Sequence, residues 1–240
     1  MDLLEGLNPA QSDAVQTTSG PLLILAGAGS GKTKTLTHRI AYLIAKGGFN
    51  PEQILAVTFT NKAAREMRQR LGGLLGQNSS RYSFMPWMGT VHGICVKLLR
   101  IDGASIGIQH NFVIYDEDDR QGLIKQAIKQ LGLNDNSLKA RAISGQISTA
   151  KNEMLSPSDY EATASYPYLK NVAKIYKKYE ELRKAAGALD FDDLLVETVR
   201  LLREKTDVCE KWRAIFKHIL IDEYQDTNAA QYSIIKLLVN

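Results

Sequence analysis

The sequence predicts an α/β fold, and three observations carry that reading. Short apolar runs do not alternate with polar residues, amphipathic helices follow three of them closely, and one long helical stretch interrupts the pattern. The runs are Pro21-Leu22-Leu23-Ile24-Leu25-Ala26, Ile54-Leu55-Ala56-Val57-Thr58-Phe59, a weaker one around Phe84 to Thr90, and His218-Ile219-Leu220-Ile221-Asp222. Such runs read as strands buried on both faces of a mostly parallel sheet. After the first, Leu36, Ile40, Leu43 and Ile44 recur at helical spacing; after the second, Ala64, Met67, Leu71 and Leu74 do the same.

Between Asn111 and Gly187 the pattern is mainly helical, with one short apolar run, Phe112-Val113-Ile114-Tyr115. A helix face is marked by Leu123, Ile124, Ala127, Ile128 and Leu131. It opens on Asp116-Glu117-Asp118-Asp119, whose charge favours the positive end of a helix dipole. A second long helix carries Leu169, Val172, Ile175, Tyr179 and Leu182, and Gly187 reads as its stop. Asn134 to Ser137 and Ser156-Pro157-Ser158 read as turns. The expected organisation is a sheet domain in two segments, 1–110 and 188–240, with an inserted helical subdomain at 111–187.

Composition narrows the class without naming a chemistry. The chain has 240 residues, 44% hydrophobic and 23% charged, with a net charge of +4. That is ordinary for a packed globular protein, and the weak positive charge permits a polyanionic partner without arguing for one. No run approaches the roughly 18 apolar residues of a membrane span, and Met1-Asp2-Leu3-Leu4-Glu5 does not resemble a signal peptide. The reading is a soluble cytoplasmic protein. Cys95 and Cys209 lie in apolar, helix-like contexts and read as buried thiols.

Chemistry enters at Ala26-Gly27-Ala28-Gly29-Ser30-Gly31-Lys32-Thr33, between the first apolar run and an amphipathic helix. This is a P-loop in its required context, with Ala26 where the pattern has Gly. Its glycines allow backbone N–H groups to turn toward phosphate oxygens, and the helix N-terminus adds its positive end. Lys32 would reach the β- and γ-phosphates, and the Thr33 hydroxyl would hold Mg²⁺. A second acid and a water-orienting group are then needed. Asp222 and Glu223, after the last apolar run, supply them: Asp222 for the metal, Glu223 for the attacking water. Two carboxylates there favour hydrolysis over transfer to a small acceptor.

Several motifs occur in a fixed order: Leu7-Asn8-Pro9-Ala10-Gln11, the P-loop, Thr58 to Met67, Gly89-Thr90-Val91-His92, Ile147 to Asn152, Phe191 to Leu195, and Asp222-Glu223-Tyr224-Gln225-Asp226-Thr227-Asn228. Together they resemble the N-terminal half of UvrD/Rep/PcrA-type superfamily 1 DNA helicases, from about Leu7 onward. The resemblance implies a RecA-like P-loop NTPase domain, incomplete here, with an inserted subdomain. It implies ATP with Mg²⁺ as cofactors and an ATP-driven 3′-to-5′ translocase on single-stranded DNA. Partners would be single-stranded DNA, single-strand/duplex junctions and proteins of DNA repair or replication, in the cytoplasm at the nucleoid.

By resemblance, Gln11 reads the adenine edge, although a residue near a helix start after Asn8-Pro9 would look the same. Phe59, Thr60 and Asn61 match a DNA-contacting segment: Phe59 offers a stacking face and the helix start offers N–H groups to phosphate. A core Phe and a plain N-cap are the alternative. Thr90 and His92 match a second DNA motif, with Val91-His92-Gly93 where relatives more often have Phe-His-Ser. Lys151 reads as a phosphate contact or equally as a solvated lysine. Asp192 and Asp193 read as a helix start without catalysis. Lys34 replaces the Arg that usually flanks adenine after the P-loop Thr, which implies weaker affinity or looser base selectivity.

The resemblance also implies that a Gly-Asp-x-x-Gln motif, its strand and a second RecA-like domain should follow. The expectation is therefore a fragment that does not itself unwind DNA. Two other classes remain open from the residues: a P-loop small-molecule kinase, and a catalytically silent nucleic-acid-binding module.

Overall fold

The computed structural model describes residues 2–27, 29–80, 84–133 and 137–239. The chain forms two compact units, one from residues 2–94 and 210–226, the other from 95–209 and 227–238. The boundaries expected at 110/111 and 187/188 both fall inside the second unit.

The first unit is α/β. Its three-stranded parallel sheet has the order β2-β1-β5, with β1 at Ile54–Thr58, β2 at Met88–Thr90 and β5 at His218–Ile221. All five β1 residues are buried, as a central parallel strand requires. Around the sheet pack α1 (Pro9–Gln16), α2 (Lys32–Ala45) and α3 (Asn61–Leu75). Leu36, Ile40 and Leu43 of α2 and Met67 and Leu71 of α3 join Ile54, Ala56 and Leu220 in one core, the residues the helical spacing selects. Each of the large side chains among them contributes about 1.5–3 kcal/mol on leaving water. Trp87 meets Trp212 and Phe216 edge-on at 4.8 and 5.3 Å between ring centroids, where the returning chain enters β5.

One expected strand is absent. The apolar run 21–26 forms no strand, and Leu22, Leu23 and Leu25 are exposed, Leu25 by 85%. Apolar character favours a strand, but a strand exists only in a ladder. Among the described residues, no neighbouring strand pairs with this run.

The second unit is mainly helical. Helices α5 (Glu117–Gln130), α6 (Ala140–Asn152) and α8 (Pro167–Ala185) share a core built on Ile124, Ile143, Ile147, Val172, Ile175 and Tyr179. The acidic start of α5 is a capping box: Asp116 accepts from the amides of Asp118 and Asp119 at 2.9 and 3.0 Å. Gly187, at φ +62°, follows α8 as expected. Ser156 caps α7 (Pro157–Thr163), while the expected turn at 134–137 lies, apart from Ser137, outside the described residues.

A two-stranded parallel sheet joins β3 (Val113–Tyr115) to β4 (Ala188–Asp190). The second strand has no counterpart in the sequence reading, because three residues running directly into α9 (Phe191–Glu204) leave no apolar run to see. Helix α10 (Thr206–Ile215) precedes β5, and the last helix, α11 (Ala229–Leu238), packs on α9. Cys95 and Cys209 are free and buried, and burial pushes the Cys95 thiol up to about 12. No helix among the described residues is long and apolar enough to cross a membrane.

Candidate nucleotide and nucleic-acid site

Parallel pairing sends the carboxyl ends of β1, β2 and β5 to one edge of the sheet, where open α/β sheets bind ligands. Thr58 is in register with Thr90, and Val57 with Ile221. Phe59-Thr60-Asn61, Val91-His92 and Asp222-Glu223 therefore leave the sheet from adjacent strand ends.

The P-loop reaches the same unit ahead of α2. Gly29 and Gly31 have φ of +76° and +88°, the left-handed region that L side chains avoid. A Cβ on Gly29 would enter open space, whereas one on Gly31 would stand 3.0 Å from Gln11 Nε2. Ser30 closes the turn, its hydroxyl donating to the Gly27 carbonyl at 2.7 Å. Lys32 Nζ donates to the carbonyls of Ala26 and Gly27 at 3.0 and 3.2 Å, so the ammonium curls over the loop. Ala28 lies outside the described residues.

Thr33 and Asp222 meet at 3.3 Å, Oγ1 donating to Oδ2, although 189 positions separate them. Asp222 is anchored by its amide, which donates to the Val57 carbonyl at 2.9 Å. Burial pushes the Asp222 carboxyl above its ordinary value, the Thr33 hydrogen bond opposes this, and the charge of Glu223 adds to it. A hydroxyl and a carboxylate so placed suit Mg²⁺, which takes one or two protein oxygens beside phosphate and water. The same pair suits a larger oxygen-seeking cage less well.

Glu223 has φ +53°, a conformation that costs a non-glycine residue about 1 kcal/mol or more. Gln225 Nε2 donates to its carboxylate at 2.6 Å. Gln11 is held by a capping box with Asn8, at 2.9 and 3.0 Å, and its Nε2 donates to the Ser30 carbonyl at 2.9 Å. Of the two sequence readings of Gln11, the helix-start role is present, and the same side chain also touches the P-loop. Lys34 Nζ donates to the Gly6 carbonyl at 2.7 Å.

Phe59 is 57% exposed, which rules out the core-residue alternative. Thr60 does cap α3, its hydroxyl accepting from the Ala63 amide at 3.1 Å, and Asn61 begins the helix, exposed. Thr90 Oγ1 accepts from the Gly93 amide at 3.2 Å at the start of α4 (Val91–Asp102), and His92 is half-buried beside it.

Lys151 is neither a phosphate contact nor a solvated lysine. It is 2% exposed in the second unit, with Nζ 2.7 Å from Asp193 and 2.8 Å from both Asp190 and Glu180. Lysine at the end of an amphipathic helix looks solvent-facing in sequence; the carboxylates that bury it arrive from α8, the end of β4 and the first turn of α9. Asp190 and Asp193 form the N-terminal capping box of α9, so the expected helix start is present and also supplies ion-pair partners. Burial disfavours a charged Asp190, yet Lys151 and Arg120 hold it well below the usual carboxylate range. Asn152 Nδ2 donates to Asp192 at 3.1 Å, and its carbonyl accepts from Asn228 at 2.6 Å. This network has no signature in the sequence, since nothing in the spacing pairs α6 with α9.

Comparison with known proteins adds a family. Residues 7–240 match the UvrD/REP helicase N-terminal domain. A protein named ATP-dependent DNA helicase PcrA from Leuconostoc citreum is 47% identical over 236 residues, covering 98% of this chain and 31% of that protein. A PcrA helicase of Staphylococcus aureus (strain NCTC 8325 / PS 47) is 44% identical over 238 residues, 99% of this chain and 32% of that one. The chain thus spans about a third of the length of the curated relatives it matches.

Proposed function

Because the chain belongs to the UvrD/REP helicase N-terminal domain family, we propose that it carries the nucleotide site and part of the DNA track of an ATP-dependent 3′-to-5′ DNA helicase. The observation that carries the reading is the meeting of Thr33 and Asp222 at 3.3 Å, which joins the P-loop to the acidic strand end.

In this reading residues 26–33 cradle the phosphates, and Gly29 and Gly31 open the backbone for them. Lys32 leaves the Ala26 and Gly27 carbonyls for the β- and γ-phosphates. Thr33 and Asp222 hold Mg²⁺, which when bound neutralises charge building on the phosphate oxygens. Glu223, in a left-handed backbone conformation and steadied by Gln225, orients the attacking water and accepts its proton. Gln11 reads the base. Phe59 stacks on a base of single-stranded DNA, while Thr60, Asn61, Thr90 and His92 meet the strand at the same sheet edge. Single-strand/duplex junctions, repair or replication proteins and a nucleoid location belong to the same proposal.

Equilibrium binding of a fluorescent ATP analogue with Mg²⁺ tests the site. Lys32→Ala and Asp222→Asn should each weaken binding at least tenfold, the loss of about one charge-assisted contact. Equal affinity in the unaltered chain and Lys32→Ala would sink the reading.

A further inference from the structure

Helix α2 sends three side chains back to carbonyls of the N-terminal segment 3–17. Lys34 Nζ donates to Gly6 at 2.7 Å and His38 Nδ1 to Leu3 at 2.8 Å. Arg39 donates to Ala14 at 2.6 Å and also to Thr17. A carbonyl only accepts, so His38 carries its proton on Nδ1. His38 and Arg39 are buried, Lys34 is exposed, and Leu3 is buried in the core that α2 helps to build.

The tethers hold the segment on both sides of Gln11. Leu3 and Gly6 precede α1, and Ala14 and Thr17 lie at its end. An eight-residue helix is marginal in water by itself, so the position of α1 depends on what grips it. Gln11 is then fixed on α1 by the Asn8 capping box and on the P-loop by Ser30. Its amide retains one N–H and one lone pair beyond these bonds. Adenine offers an acceptor at N7 beside a donor at N6, whereas guanine offers acceptors at both N7 and O6. An amide fixed in one orientation therefore separates the two bases, and a displaced one does so less.

We propose that Lys34, His38 and Arg39 are positioning residues that set segment 3–17 against the P-loop, and so decide how strictly the site takes adenine over guanine nucleotides. Lys34 acts through the Gly6 carbonyl and not by touching the base. This inference rests on the nucleotide reading above.

The test measures displacement of a fluorescent ATP analogue by ATP and by GTP, with Mg²⁺, in the unaltered chain, Lys34→Met, His38→Leu, Gln11→Ala and the Lys34→Met/Gln11→Ala double variant. The preference for ATP should fall about three- to tenfold in Lys34→Met and in His38→Leu, the effect of about one hydrogen bond. Adding Lys34→Met to Gln11→Ala should change the preference no further. Amide exchange across 3–17 should quicken in Lys34→Met without nucleotide. Full additivity with Gln11→Ala, or an effect of Lys34→Met with none from His38→Leu, means that Lys34 meets the base directly and overturns the proposal. Unchanged preference in both single variants overturns it as well. If the buried His38→Leu variant does not fold, the exposed Lys34 with Gln11 still decides. A chain that binds no nucleotide fails the site reading and this proposal together; ATP binding that needs Lys32 but keeps its preference in Lys34→Met fails this one alone.

Discussion

Lys151 stands at the centre of the second unit with three carboxylates within 2.8 Å of its ammonium. Removing such charges from water costs several kcal/mol per ion, which only close pairing offsets. The pairing is dense: Tyr179 donates to Asp190 at 2.6 Å, and Arg183 lies 2.6 Å from Glu180 and 2.9 Å from Asp193. Asp193 is the pH-sensitive member of this arrangement. Burial, with Asp190 and Glu180 beside it, pushes its carboxyl up to about 7 against the pull of Lys151 and Arg183. An unfolded Asp titrates near ~3.9. The folded state therefore holds the proton more tightly, and this stability is full below about pH 4 and lost as pH rises to 7. Asp190, held low, acts in the opposite direction and only on stronger acidification. Urea unfolding should thus show lower stability at pH 8 than at pH 5. Asp193→Asn, which cannot ionise, should flatten the difference; an unchanged slope in that variant counts against it.

At the level of elements, the helix starts were legible because each cap is written within four residues. Asn8 with Gln11, Asp116 with Asp119, and Asp190 with Asp193 form capping boxes from side chains on the same turn. The start of α2 is different, since Gly31 occupies its cap in a left-handed conformation. Gly31→Ala should destabilise the first unit by about 1–2 kcal/mol. It should also weaken nucleotide binding, because the new Cβ would meet Gln11 Nε2 at 3.0 Å. Thermal unfolding and nucleotide titration of that variant check both effects; full stability with normal binding would contradict the loop geometry. Strands were less legible than helices. β1 and β5 showed as apolar runs, β4 did not show, and 21–26 showed without forming one. A run of apolar residues reports burial preference, while a strand also needs hydrogen-bonding neighbours from distant sequence.

Over the whole molecule, each unit is assembled from separated stretches of chain, and the candidate site draws on both stretches of the first. Nucleotide with Mg²⁺ should slow amide exchange in residues 26–33 and 221–223, leaving the α5–α6–α8 core of the second unit at its own rate. Protection confined to the second unit would contradict the assignment. The net charge of +4 is too small to define a nucleic-acid surface by itself. Any DNA contact at this sheet edge rests on individual groups such as Phe59 and Thr60.

The α/β class, the amphipathic faces and the Gly-rich motif before α2 were readable from local pattern, because each depends on residues within a turn or two of one another. The tertiary structure alone decided that Lys151 is buried, that Phe59 is exposed, that 21–26 lacks a partner, and that Lys34 grips Gly6. Each of those outcomes is set by what a side chain or strand meets across the fold, and burial, ion pairing and ladder formation have no local pattern from which to read the partner.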